Sequence, residues 1–166
     1  MPTREEYATQ SPEQRLERMA RTAHELEQAV KGQDDAALSR RPDPNNWSAK
    51  ECICHLRDTE EFFFSRIEQL TVMNEPTLFT WTGLSPDRWS EERQYLRHDV
   101  GKAIGHFRQR REETLAFLRK LTPDQWQCAG VHPKRGRVTV DGIVALMAEH
   151  DNGHLDQLRR ALAGRA

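Results

Sequence analysis

Four long stretches of this chain repeat apolar residues every three or four positions, a period that fits helices and not strands. Leu16, Met19, Ala23, Leu26 and Val30 make the first stripe, and Cys52, Leu56, Phe63, Ile67 and Leu70 the second. The third runs through Leu96, Val100, Ala103, Ile104, Phe107, Thr114, Leu118 and Leu121, and the fourth through Val140, Val144, Met147, Leu155, Leu158 and Leu162. Each stripe is one face of an amphipathic helix of roughly 20–27 residues that has to be covered by its neighbours. With little strand signal elsewhere, the chain reads as an all-α four-helix bundle, a single domain over residues 1–166.

The totals exclude several function classes. Lys and Arg number 25 against 26 Asp and Glu, so the overall charge gives no case for nucleic acid or an anionic membrane. The mean hydropathy of −0.87 is low, but the periodic apolar residues separate this chain from a disordered one. No apolar run approaches the roughly 18 residues needed to span a bilayer. The polar start from Met1 to Gln10 lacks a signal-peptide core, and three cysteines without framework spacing suit a reducing cytoplasm. Cys52, Cys54 and Cys128 are read as structural.

Local signals place the helix ends. Ser11-Pro12-Glu13-Gln14 opens the first helix and Gly32 closes it. Trp47 precedes Ser48-Ala49-Lys50-Glu51, a capping box that starts the second helix and sets Trp47 to staple against Cys52. The third helix is expected over about Tyr95 to Leu121, where Gly101 and Gly105 suggest a close helix approach. Thr139 is the expected cap of the fourth. Ser85-Pro86-Asp87-Arg88-Trp89 and Thr122-Pro123-Asp124-Gln125-Trp126 read as short capped turns that each insert a tryptophan into the bundle. The connection from residue 71 to 95, with Pro76, Gly83 and Pro86, is long for a compact domain.

Seven histidines prompt a search for a metal site. His24, His98 and His106 sit among charged neighbours and read as surface residues. His150 and His154 are i and i+4, on one helical face. His55 lies seven residues past its cap, roughly 10 Å into the second helix, and His154 roughly 13 Å before the end of the fourth. Antiparallel packing of those two helices would bring the histidines level near one end of the bundle. A long crossover between the second and third helices permits that packing, since 25 extended residues reach about 80 Å. Three imidazoles on one divalent ion leave a position open for water or substrate, the composition of a catalytic site. Paired Glu-x-x-His, His-Glu-x-x-His, P-loop and Gly-x-Ser-x-Gly motifs are all absent from the sequence.

Asn46-Trp47-Ser48-Ala49-Lys50-Glu51 leading to His55-Leu56-x-Asp58-x-Glu60, and Gly136-x-Val138-Thr139-Val140 leading to His150-Asp151-x-x-His154-Leu155-x-Gln157, together resemble the DinB/YfiT-like family of bacterial four-helix bundles. Asp99-Val100 and Arg111 fit the same pattern, which extends from about Ser11 to Leu162. The resemblance implies a divalent metal (zinc, nickel, iron or manganese) held by His55, His150 and His154, and frequently a homodimer. It also implies a link to enzymes that use low-molecular-weight thiols such as bacillithiol or mycothiol with an electrophilic small molecule.

The function expected from these readings is a metal-dependent enzyme, a thiol S-transferase or a hydrolase. Asp151, Asp58 and Glu51 are the candidates for orienting the imidazoles, and no residue is assigned as general base. The alternative is a non-catalytic metal- or partner-binding bundle in a stress or damage response.

Overall fold

A computed structural model describes residues 3–80 and 85–166. Four long helices carry the fold: α2 (Pro12–Val30), α4 (Ala49–Val72), α6 (Val100–Leu118) and α8 (Val140–Leu162). Short helices α1 (Arg4–Ala8), α3 (Asp35–Ser39), α5 (Pro86–Glu92) and α7 (Pro123–Trp126) lie before and between them. The expected caps are in place: Ser11 with Gln14 and Ser48 with Glu51 form reciprocal capping boxes, and the Thr139 hydroxyl accepts from the Gly142 amide. Ser85 and Thr122 cap α5 and α7, and Trp126 is buried as expected.

Contacts along the helices fix their directions. The rings of Trp47 and His55 lie against His154, while Phe63, two turns further along α4, lies against His150, one turn earlier in α8. The pair α4 and α8 is therefore antiparallel, which the level histidines required. Arg110 with Glu61 and Phe64 with Phe117 show α4 and α6 running in the same sense. The expected crossover between α4 and α6 passes through residues 81–84, including Gly83, which lie outside the described residues.

The core is divided in two. Leu16, Met19, Phe63, Ile67, Leu70, Leu115, Leu118, Val144 and Met147 fill one half. Leu26, Trp47, Cys52, Ile53, Leu56, Ile104, Phe107, Leu155 and Leu158 fill the other. Between the halves lies a polar layer with one contribution from each long helix: Thr22, Glu60, Arg111 and Asp151, all at most 3% exposed. Arg111 donates to both Asp151 oxygens, to Glu60 Oε2 at 2.7 Å and to the Met19 carbonyl at 2.9 Å. The Thr22 hydroxyl donates to Asp151 Oδ2 at 2.6 Å. Burial alone would lower the Arg111 pKa, but the facing carboxylates of Asp151 and Glu60 outweigh it and raise it, so the guanidinium stays charged.

Several sequence expectations are corrected. The third long helix starts at Val100, because Gln94 is left-handed at φ +52° and His98 is extended, which leaves Tyr95–Arg97 as a separate 3-10 turn. Leu96, placed on the apolar stripe, is 44% exposed. A Cβ at Gly105 would meet nothing within 4 Å and one at Gly101 only the nearby Asp99 side chain, so this pair marks no close helix approach. The chain also forms an antiparallel hairpin, β1 (Ala129–His132) with β2 (Gly136–Thr139). Residues 76–78 bond to β1 through Val131, and a Cβ on Gly130 would sit 2.5 Å from the Pro76 carbonyl oxygen, which reserves that position for glycine.

Replacing Arg111 with methionine would strip two buried carboxylates of their cation, at a cost of about 3–5 kcal/mol. Urea unfolding of the Arg111→Met protein should register that loss, or the protein should fail to fold. A loss under about 1 kcal/mol would mean that the layer contributes little to stability.

Candidate metal centre

The sequence puts His55 in the second turn of α4 and His150 and His154 one turn apart on α8. Antiparallel packing brings them together, and one ring nitrogen from each lies within 4.8 Å of the other two. His55 Nε2 and His150 Nε2 are 3.1 Å apart. Two imidazoles on a tetrahedral ion with bonds of 2.0–2.1 Å have nitrogens roughly 3.3 Å apart, so this spacing suits shared ligation. His154 Nδ1 lies 2.9 Å from Gln157 Oε1, a contact that puts the proton on Nδ1 and leaves the lone pair on Nε2. His150 and His154 flank Asp151 in the sequence, so the triad lies beside the polar layer between the two core halves.

The environment keeps these rings neutral. Burial, with repulsion from His154, pushes the His55 pKa down to about 3 against a weak upward pull from Asp58. Burial followed by the charges of His154 and His55 drives His150 well down. His154 is lowered by burial, with the Gln157 contact and Asp151 opposing. Neutral imidazoles offer lone pairs at pH 7, as a metal requires.

The three carboxylates expected to orient the imidazoles spend their oxygens elsewhere. Asp151 points into the polar layer toward Arg111 and Thr22. Glu51 accepts from Arg41 Nε at 2.9 Å, the Ser48 amide and hydroxyl, and the Ser90 hydroxyl. Asp58 accepts from Arg57 Nε at 2.8 Å, Tyr95 Oη at 2.8 Å and Trp89 Nε1 at 3.2 Å, and pairs with Arg93. Glu51 and Asp58 thus fasten the flanking connections onto α4 instead of holding a ring. Direct contact with an imidazole comes from Gln157, three residues after His154 on α8.

Two aromatic residues complete the surroundings. Trp47 approaches His55 edge-on at 4.9 Å and stacks on His154 at 6.0 Å, while its Nε1 donates to Asp87 Oδ1 at 2.7 Å. Phe63 packs edge-on against His150 at 5.5 Å. Trp47 therefore does more than begin a helix: its place one residue before the cap and two turns below His55 sets it under the triad. A cavity of about 410 Å³ opens in front of His55 and His150, with Phe63, Leu78, Ile143 and Leu146 among its apolar walls. That volume is within the range of small-molecule sites.

Of the other histidines, His24 and His106 are exposed as expected. His98 is held by Arg57 Nη1 at 2.9 Å and the Arg93 carbonyl at 3.0 Å. Cys52 and Cys54 are buried free thiols, and burial raises the Cys54 pKa to about 11, in keeping with inert packing roles.

The model of the DinB superfamily matches residues 6–158. The chain belongs to the DinB superfamily. Among DinB relatives, an Oceanobacillus iheyensis protein named "Putative metal-dependent hydrolase OB0413" is 21% identical over 148 residues, covering 89% of this chain and 83% of its own. YfiT from Bacillus subtilis, described as "a probable metal-dependent hydrolase with an unusual four-helix bundle topology", superposes with a TM-score of 0.83 at 20% identity, covering 92% of this chain and 88% of YfiT. A mycothiol-dependent maleylpyruvate isomerase superposes at 0.71 with 13% identity over 95% of this chain and 63% of that one. At these identities the two solved structures establish the DinB fold. No helix among the described residues is long and apolar enough to cross a membrane.

The lowered histidine pKa values make the metal-free protein acid-sensitive. Unfolding restores ordinary imidazoles near pH 6.5, so between that pH and about 3 the unfolded chain binds protons that folded His55 refuses. Stability is complete above pH 6.5 and falls as the pH drops through that window. Chelator-treated protein should lose about 1.4 kcal/mol from His55 alone in urea titrations between pH 7.5 and 5.5, with further loss in the same direction from His150 and His154 and a shallower dependence for His55→Gln. An unchanged slope in that variant would contradict neutral burial of His55.

Proposed function

We propose that this protein is a metal-dependent hydrolase in which His55, His150 and His154 hold one divalent ion facing the apolar cavity. The observation that carries the reading is the convergence of three neutral imidazoles from two rigid helices within 4.8 Å, with His55 and His150 at the cavity wall. A divalent ion bound there supplies a Lewis acid with an open position that lowers the pKa of a coordinated water or thiol. The hydrolase names of the Oceanobacillus protein and of YfiT favour water as the nucleophile.

The chain's own residues then have separate tasks. Gln157 fixes the His154 ring so that Nε2 faces the ion. Trp47 and Phe63 wall the imidazoles, fixing their rotamers and limiting water on those sides. Glu51 and Asp58 tie the connections before and after α4 to the helix that carries His55. The buried polar layer fixes the rotation of α8 that presents both of its histidines toward α4.

A second reading, thiol S-transfer, draws on the mycothiol-dependent isomerase that shares the fold. There a small thiol would take the place of water and attack an electrophilic substrate. A non-catalytic metal-binding role is the remaining alternative.

Untagged protein should contain about one divalent ion per chain by elemental analysis. His55→Ala, His150→Ala and His154→Ala should each weaken metal affinity at least about 100-fold. Ester and amide hydrolysis, and conjugation of electrophiles with several thiols, should be followed before and after chelation. Chelator-sensitive hydrolysis supports the first reading, and chelator-sensitive conjugation the second. Metal-free wild-type protein with unaltered thermal stability in the His55→Ala and His150→Ala variants would overturn both.

A further inference from the structure

The buried arginines of this fold come with acids, with one exception. Arg15 pairs with Asp141, Arg18 with Glu25, and Arg111 with Asp151 and Glu60. Arg66 is 7% exposed and has no carboxylate within 4 Å among the described residues. Its Nε and Nη2 donate to the Phe79 carbonyl at 3.1 and 2.9 Å, and its guanidinium lies over the Phe62 ring at 3.9 Å. Carbonyl and ring fix the group but bring no counter-charge. A desolvated cation without a counter-charge is costly, and an anionic ligand would supply the missing charge.

Arg66 lines the cavity in front of His55 and His150, together with Lys134, Arg135 and His132 from the hairpin. No described Asp or Glu lines that cavity. His132 Nδ1 accepts from the Lys134 amide at 3.1 Å, so in the neutral ring the proton sits on Nε2. That nitrogen is 3.3 Å from Arg66 Nη2. Nη2 already donates one hydrogen to the Phe79 carbonyl; its second and the His132 Nε2–H face one another, and one anionic oxygen could accept from both. Burial and the neighbouring Arg135 lower the Arg66 pKa to about 10, which marks an excess of positive charge while leaving the side chain protonated at pH 7.

We propose that this basic wall is a substrate subsite, and that the ligand of the cavity is a small organic anion. Its carboxylate or phosphonate-type oxygens bind Arg66, His132, Lys134 and Arg135, and its apolar body lies along Phe63, Leu78 and Leu146. An anion held there presents its other end to the wall carrying His55 and His150. The assignment of that end as the reacting end rests on the metal-dependent reading above; the anion subsite itself does not.

The test compares phenylacetate, phenylphosphonate and neutral phenylacetamide by NMR titration and calorimetry, with metal content measured on each sample. Wild-type protein should bind one or both anions at least tenfold more tightly than the amide, and the relative affinity of the two assigns carboxylate or phosphonate chemistry. Arg66→Gln should abolish that preference. Because Arg66 is buried, the exposed pair Lys134→Gln/Arg135→Gln serves as the variant that leaves the core intact, with an expected loss of at least fivefold for the anions and none for the amide. His150→Ala should retain anion affinity within about threefold, which separates the basic wall from direct coordination to metal. Equal binding of anion and amide, or anion binding lost in His150→Ala yet unchanged in the Lys134/Arg135 variant, would overturn the subsite. Absence of metal in a wild-type protein that still prefers anions would overturn the metal reading alone.

Discussion

The Arg111 guanidinium ties the four long helices together through buried hydrogen bonds. It reaches Glu60 on α4, Asp151 on α8 and the Met19 carbonyl on α2 from its own helix α6. Apolar stripes can slide and rotate against one another at modest cost, whereas a buried cation bonded to three neighbouring helices has few satisfactory arrangements. Asp151 lies between His150 and His154 on α8. Turning Asp151 inward to Arg111 fixes the rotation of α8 and, with it, the direction of both histidines. Glu60 does the same for α4, five residues from His55.

The site is therefore built in two shells of different chemistry. Inside are paired charges, Arg111 with Asp151 and Glu60, that hold the helices in register. On the α4–α8 face are imidazoles kept neutral by burial and by one another. Such rings repel protons but suit a cation that brings its own coordination energy. The cavity continues this division, with neutral nitrogen donors and apolar walls near the triad and unpaired positive charge at the hairpin side.

Much of this was legible in the sequence because it depends on local rules. Helical periodicity gave four helices, and Ser11, Ser48 and Thr139 announced their starts through short-range hydrogen bonding. The His150–His154 spacing is fixed by helix geometry, and His55 follows once α4 and α8 are antiparallel. Partner choice among carboxylates was not legible. Asp151, Glu51 and Asp58 all lie near histidines in sequence, but Arg111, Arg41, and Arg57 with Tyr95 and Trp89 compete for them and win. The β1–β2 hairpin escaped notice because four-residue strands carry too short an alternation to read. Leu96 misled because an apolar residue in phase with a helix was separated from it by the left-handed turn at Gln94. The role of Trp47 beneath the triad needed the tertiary packing of α8 to appear.

If the three imidazoles form one metal centre, anomalous diffraction at a metal absorption edge will locate the ion among them. Crystals of untagged protein should give a single strong peak about 2.0–2.2 Å from the Nε2 atoms of His55, His150 and His154. A peak on other residues, or metal-supplemented crystals with no peak at the triad, would rule out a three-histidine metal centre.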